Sequence, residues 1–260
     1  MTPVQYWVLG LFASDGYVWD NHALLNQSGS AGLKVIRYIK ALLQCEAPIH
    51  VRELDVGKPV YSIQFSSSKM IDVFRKYGIV QNKTKTYTLP DIPDEYLPSF
   101  LAGYVEGDGC ITISKYKHAT DLLCASFVGT KEFIEECAKR IPIHGSVRKH
   151  SLSDIYEIRW YSKKAIQFCE WLYSFDELYH SYKYDNYLYG KALYKTTRDS
   201  RFGELKERII SDYNSGIVNT AKECSELYGI KEQTIFRWLK HWLEQGIINR
   251  DYHIVKAVQF

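Results

Sequence analysis

Gly103-Tyr104-Val105-Glu106-Gly107-Asp108-Gly109 repeats a pattern met earlier in the chain, Gly10-Leu11-Phe12-Ala13-Ser14-Asp15-Gly16. Each has a glycine, a small residue four positions on, and then Asp-Gly. On a helix, residues four apart share a face. Small residues there let two backbones approach closely. The glycine after each aspartate can take the positive φ that ends a helix. A lone Asp-Gly is a helix stop and a turn. Two copies with matching small residues upstream imply more: two helices packed together, delivering Asp15 and Asp108 side by side. Such carboxylates repel each other unless a cation lies between them. A divalent metal is the natural partner, and hard oxygen ligands favour Mg²⁺. Ions of this kind activate water and stabilise the leaving oxygen in phosphodiester cleavage.

The pattern belongs to a duplication. The aspartates are 108 − 15 = 93 positions apart. A second pair of anchors, Tyr61-Ser62-Ile63-Gln64-Phe65 and Tyr156-Glu157-Ile158-Arg159-Trp160, is 156 − 61 = 95 apart. Each anchor precedes a helical run, near Lys69 and near Lys164. Two anchors in one order imply two copies of a unit, a pseudo-dimer in one chain; a solenoid needs more repeats. Each unit reads α-β-β-α-β-β-α. Thr2 caps the first helix, Pro3 opens it and Gln5 completes a capping box. That helix should run to about Ser14. Strands follow near 17–19 and 22–27, a helix over 33–43, strands near 49–54 and 60–66, and a helix over 68–77.

The later strands alternate. Tyr61, Ile63 and Phe65 oppose Ser62, Gln64 and Ser66; Tyr156, Ile158 and Trp160 oppose Glu157, Arg159 and Tyr161; Ile111 and Ile113 oppose Thr112 and Ser114. On pattern alone, these are antiparallel sheets with helices on one side and water on the other. The expected class is α+β: two pseudo-symmetric αββαββα units, 1–92 and 93–196, packed through the motif helices, plus a small all-α segment, 197–260. Leu89–Glu95 reads as the first linker and Thr196–Gly203 as the second.

Composition is that of a globular protein, 46% hydrophobic and 24% charged, with a net charge of +3. That charge permits a nucleic-acid partner without requiring one. Cys45, Cys110, Cys124, Cys137, Cys169 and Cys224 form no C-x-x-C pair, which argues against zinc ribbons and redox motifs. They read as buried, reduced thiols of an intracellular protein. No signal peptide or membrane-length run stands out. The histidines form no ligand pair, and no nucleophile elbow supports a triad.

Leu101-Ala102-Gly103-Tyr104-Val105-Glu106-Gly107-Asp108-Gly109 resembles the LAGLIDADG motif of homing endonucleases, and Val8–Gly16 resembles a weaker first copy. The segments Tyr77–Thr84 and Val128–Phe133 and the Pro-x-Ile-Pro stretch before the second motif also resemble this family, so the likeness covers about residues 3–195. It implies a single chain that straddles a long, pseudo-palindromic site on double-stranded DNA and cuts both strands, leaving 3′ overhangs. Asp15 and Asp108 would bind Mg²⁺, with Mn²⁺ as a substitute, and Ser14 and Gly107 are further metal-site candidates. Gln27, at a strand end, fits a glutamine that some relatives use to order water. No lysine stands at an equivalent strand end; Lys69, Lys163 and Lys164 are the nearest in sequence. The polar strand faces become base-reading surfaces, with Ser62, Gln64, Thr112, Ser114, Glu157 and Arg159 as candidates. Lys83, Lys115, Lys117, Arg148 and Lys149 would reach phosphates, or else are ordinary solvated charge. The first copy departs from the family pattern at Leu9 and Ala13, neither of them the metal ligand.

In the C-terminal segment, Thr220-Ala221-Lys222-Glu223 forms a capping box, and Ser225, Gly229, Ile230, Ile235 and Trp238 resemble the spacing of a helix-turn-helix. Gln233, Thr234, Arg237 and Lys240 would then face DNA; otherwise the segment is a helical hairpin packed on the main body. No splicing-domain signature occurs, so an intron-encoded or free-standing endonuclease, bacterial or phage rather than organellar, is favoured over an intact intein. The competing reading is a non-cleaving regulator, or a splicing maturase with RNA as partner. Retention of both motif aspartates favours cleavage.

Overall fold

The computed structural model describes residues 1–114, 122–150 and 154–248, with backbone only at 195–202 and 204. The chain divides into two compact units, Met1–Tyr194 and Lys195–Phe260.

In the first unit, α1 (Pro3–Asp15) and α4 (Leu97–Asp108) pack against each other. The capping box forms as expected: Gln5 N–H donates to Thr2 Oγ1 at 3.3 Å, and Thr2 N–H to Gln5 Oε1 at 2.8 Å. Two glycines set how closely these helices approach. A Cβ on Gly10 would lie 1.8 Å from the Phe100 carbonyl oxygen, and one on Gly103 would lie 1.9 Å from that of Trp7. The two contacts are related by the duplication itself, since Gly10/Phe100 and Trp7/Gly103 exchange roles under the 93-residue offset. Tyr6 through Ala13 and Leu97 through Glu106 are buried without a break, as befits helices at the centre of a core. Gly16 and Gly109 differ from expectation. Both are extended, with φ of −103° and −110°. Glycine is required there by proximity: a Cβ would meet Phe12 and Val105 at under 3 Å.

After α1 come β1 (Gly16–Trp19), β2 (His22–Ser28), α2 (Gly29–Leu42), β3 (Ile49–Arg52), β4 (Val60–Phe65) and α3 (Ser68–Lys76). After α4 come β5 (Gly109–Ser114), β6 (Leu122–Gly129), α5 (Lys131–Arg140), β7 (Ser146–Lys149), β8 (Tyr156–Tyr161) and α6 (Ser162–Leu172). The sheets are antiparallel, with matching orders β1-β2-β4-β3 and β5-β6-β8-β7. Helices cover one face of each. Leu25, Ile63, Val35, Ile36 and Ile39 fill the first core; Phe127, Ile158, Trp160 and Phe168 fill the second. Trp160 and Phe168 stack with centroids 3.8 Å apart.

The register makes the copies comparable residue by residue. Tyr17 pairs with Leu24 and Leu24 with Gln64. In the other copy Cys110 pairs with Ser126 and Ser126 with Arg159. Gln64 and Arg159 are therefore equivalent. Likewise Gln27 faces Tyr61 and Gly129 faces Tyr156, so Gln27 corresponds to Gly129. Cys110 is exposed rather than buried, because strand alternation puts it on the face opposite Ile111; Cys45 is half-buried, and all six thiols are free.

Helix α7 (Tyr182–Asn214) stays helical through 196–203, which the sequence reads as a linker. One glycine, Gly203, in a polar run costs about 1 kcal/mol and does not break a helix. In the second unit α8 (Ala221–Tyr228) and α9 (Glu232–Glu244) join through Gly229, whose φ of +66° is left-handed. Glu223 N–H donates to Thr220 Oγ1, and the Glu223 carboxylate accepts from the N–H of Asn219, one residue before the cap. Ile209, Tyr213, Val218, Cys224, Ile235, Leu239, Trp242 and Ile248 form this unit's own core. Among the described residues no helix is long and apolar enough to cross a membrane.

Candidate active site

Asp15 and Asp108 are the last residues of α1 and α4. Because the helices pack through Gly10 and Gly103, their C-terminal ends lie together. A Cβ on Gly107 would sit 2.4 Å from Asp15 Oδ2 and 2.2 Å from Ser14 Oγ. The Asp15 carboxylate thus rests directly over the second motif. Gln27, at the end of β2, donates from Nε2 to Asp15 Oδ2 at 2.6 Å.

The site is electrostatically strained. Burial, and then the neighbouring charge of Asp108, raise the Asp15 carboxyl from 3.8 to about 6, against the opposing effects of Gln27, Lys183 and Lys83. Burial also raises Asp108, opposed by Lys83 and Lys183. Lys83, 6% exposed, donates to the carbonyl of Gly16 and, at 3.4 Å, to that of Ser14. Lys183, 3% exposed, donates to the carbonyls of Val105 at 2.7 Å and Glu106 at 2.6 Å. Each ammonium therefore closes the C-terminal end of a motif helix, where free carbonyls and the helix dipole favour a cation. Burial pulls the Lys83 amine down to about 8, against the pull of Asp108 and Asp15. Burial lowers Lys183 too, against Glu106 and both aspartates. The Glu106 carboxylate accepts from Ser181 Oγ at 2.7 Å.

An open depression of about 570 Å³ leads to this cluster, lined among others by Asp15, Gln27, Arg52, Lys58, Gly107 and Lys183. The donor set fits a hard divalent ion. Among the described residues no three His, Cys, Asp or Glu side chains gather to hold a metal. An ion here would take the two aspartates and complete its shell from backbone carbonyls, water and phosphate, as Mg²⁺ does at phosphate sites.

The expected site residues fall into separate places. Asp15, Asp108 and Gln27 converge, with Gly107 beneath Asp15. Ser14 Oγ is engaged, donating to the Leu11 carbonyl at 2.9 Å. Lys83 lies beside the carboxylates rather than on a sheet face. Lys69, Lys163 and Lys164 are exposed on α3 and α6, and Lys164 donates to the His144 carbonyl. Ser62, Gln64, Thr112, Ser114, Arg148 and Arg159 lie on the open sheet faces. Glu157 lies on that face but is 2% exposed, its carboxylate held by Arg148 and Arg159. Lys149 is exposed and pairs with Asp154 at 2.8 Å. Lys115 and Lys117 lie outside the described residues. Gln233, Arg237 and Lys240 are exposed on α9 and Thr234 is half-buried. The sequence reading missed Lys183 and Glu106. Lys183 sits in a Tyr-rich stretch with no motif, and only the second acid of Val105-Glu106-Gly107-Asp108 hinted at Glu106.

No protein-family profile matches the chain, and no curated protein matches it. Solved structures do. The LAGLIDADG homing endonuclease I-LtrWI bound to target DNA matches with a TM-score of 0.56 at 14% identity, over 75% of this chain and 91% of that one. The meganuclease I-SmaMI bound to uncleavable DNA matches with a TM-score of 0.55 at 13% identity, over 77% and 91%. I-SmaMI bound to uncleaved target in the presence of calcium ions matches with a TM-score of 0.52 at 14% identity, over 77% and 93%. The chain has the two-fold-repeated fold of these single-chain endonucleases.

Proposed function

We propose that this protein is a site-specific endonuclease that cuts both strands of DNA at a long pseudo-palindromic site. It acts as a monomer inside the cell, uses Mg²⁺ with Mn²⁺ as a substitute, and leaves 3′ overhangs. One observation carries the reading. Two aspartates end a pair of close-packed helices, the charge of Asp108 opposing that of Asp15, between two sheets whose open faces carry polar side chains. Solved structures of the same fold are DNA-bound.

In this mechanism Asp15 and Asp108 would hold the divalent ions, and Ser14 and Gly107 are further ligand candidates. Bound there, the ions would polarise the scissile phosphates and raise the acidity of water. Gln27 fixes the orientation of Asp15. Lys83 and Lys183 hold the carboxylates ionised and offset negative charge developing on phosphate. The open faces of β1–β4 and β5–β8 lie in the major groove, where Ser62, Gln64, Thr112, Ser114 and Arg159 meet bases. Arg148 and Lys149 meet phosphate, a role the sequence also suggests for Lys115 and Lys117. Gln233, Thr234, Arg237 and Lys240 of α9 extend the grip on DNA.

The test is cleavage of a randomised duplex library in Mg²⁺, against EDTA and Ca²⁺, by the wild type, Asp15→Asn and Asp108→Asn. Metal-dependent double-strand cuts at one long site, lost in both variants, are expected. Tight specific binding with no cut in Mg²⁺ would overturn the nuclease reading in favour of a regulator or a splicing maturase.

A further inference from the structure

On the open face of the second sheet, Glu157 is a buried carboxylate with two arginines on it. Arg148 Nε donates to Glu157 Oε2 at 2.6 Å, and Arg159 Nε donates to Oε1 at 3.0 Å. Arg159 Nη2 also donates to Oε1, and Nη1 to Tyr161 Oη at 3.1 Å. A guanidinium has five N–H groups. Three are committed here, which leaves one on each terminal nitrogen without a partner among the described residues. A guanidinium with an N–H to spare on each terminal nitrogen suits paired acceptors. In register, Arg159 is flanked by Ser126 and Ser146, both short side chains. The trio carries a net charge of +1, so it attracts acceptor atoms. Gln64, the equivalent residue of the first sheet, is exposed and has no hydrogen-bond partner among the described residues. Its amide offers one donor and one acceptor side by side.

We propose that Arg159 reads a guanine in one half of the target and Gln64 reads an adenine at the symmetry-related position of the other, so the site departs from a palindrome there. This rests on the reading that the open sheet faces lie against DNA. The chemistry is that of the major groove: guanine presents the paired acceptors N7 and O6, and adenine presents the acceptor N7 beside the donor N6. A base contact is favoured over a phosphate contact because Arg159 is held at three donors and is only 27% exposed. Holding the guanidinium in place removes the entropy a free side chain would lose on binding. Glu157 is a positioning residue in this scheme and touches no base.

The experiment is selection of bound duplexes from a randomised library by the full-length chain in Ca²⁺, followed by sequencing. The wild type should enrich a site with guanine at one position and adenine at its symmetry mate, each preferred about ten- to hundred-fold. Arg159→Gln should change the guanine to adenine at that position alone, making the site more nearly palindromic. Gln64→Arg, a change at an exposed position, should do the reciprocal. Glu157→Gln should weaken the guanine preference and leave the other half-site unchanged. Variants that keep the wild-type base preferences, and lose affinity uniformly with a shallower salt dependence, would mark a phosphate contact and overturn the proposal. A wild type that enriches no site would overturn the DNA reading itself, a result distinct from the first.

Discussion

Replacing Asp15 by Asn should stabilise the metal-free protein while abolishing cleavage. Burial and the neighbouring Asp108 raise the Asp15 carboxyl from 3.8 to about 6 in the folded state. The folded chain therefore holds this proton more tightly than the unfolded chain does. That contribution to stability is complete below the unfolded value near 4 and is lost as pH rises through about 6. At about 1.4 kcal/mol per unit, keeping Asp15 ionised at pH 7.5 costs roughly 3 kcal/mol. Asparagine cannot ionise, fits the same space and still accepts from Gln27 Nε2. The gain should be about 3 kcal/mol at pH 7.5, about half that at pH 5 and near 0.5 kcal/mol at pH 4. For a unit of this size it corresponds to a rise in Tm of roughly 6–12 °C. Thermal unfolding in EDTA, followed by circular dichroism from pH 4 to 7.5, measures it. A variant less stable than wild type at pH 7.5, or a gain that does not shrink on acidification, would refute the electrostatic argument. Mg²⁺ should narrow the difference, because it stabilises the state that binds it.

Other perturbations probe different layers of the structure. Gly103→Ala puts a methyl group 1.9 Å from the Trp7 carbonyl oxygen, and the helix pair must separate. A loss of about 3 kcal/mol or more in urea unfolding is expected, and an unchanged midpoint would show that the helices can slide. Lys183→Met removes a charge that lowers the Asp15 carboxyl. Mg²⁺ binding, measured by calorimetry between pH 6 and 8, should then move to higher pH, whereas a profile fixed at the wild-type position would detach this lysine from the site. Leu239→Ala opens the core of the second unit at a cost of about 2–5 kcal/mol. DNA affinity should fall while cutting by the first unit persists at high protein concentration, and unchanged affinity would remove α9 from the interface.

The fold was legible because its signals are local and doubled. The pattern Gly-x-x-x-small-Asp-Gly is a helix-face signal with a four-residue reach, and its second copy supplied the partner. Strand alternation at Tyr61–Phe65 and Tyr156–Trp160 is equally local. Together they led to Asp15 and Asp108, while Gln27 came only through the family resemblance. Local rules misled where packing overrides them. Gly16 and Gly109 looked like left-handed stops, yet they are extended glycines pressed against Phe12 and Val105. Polar composition at 196–203 looked like a linker, and the division between the two compact units does fall beside it, but nothing in the stretch breaks a helix.

Sequence alone thus determined the repeat, the helix pair and the two acids at its end, because each depends on residues within a turn or two of one another. Only the tertiary structure decided what surrounds those acids. Lys83 lies 68 positions beyond Asp15 and Lys183 lies 75 beyond Asp108, each on a connection whose path no periodicity specifies. The polar face of the second sheet likewise gave no sign that Glu157 would be buried beneath two arginines. That outcome depends on which strands become neighbours and in what register, and the order β5-β6-β8-β7 exists only once the chain has folded.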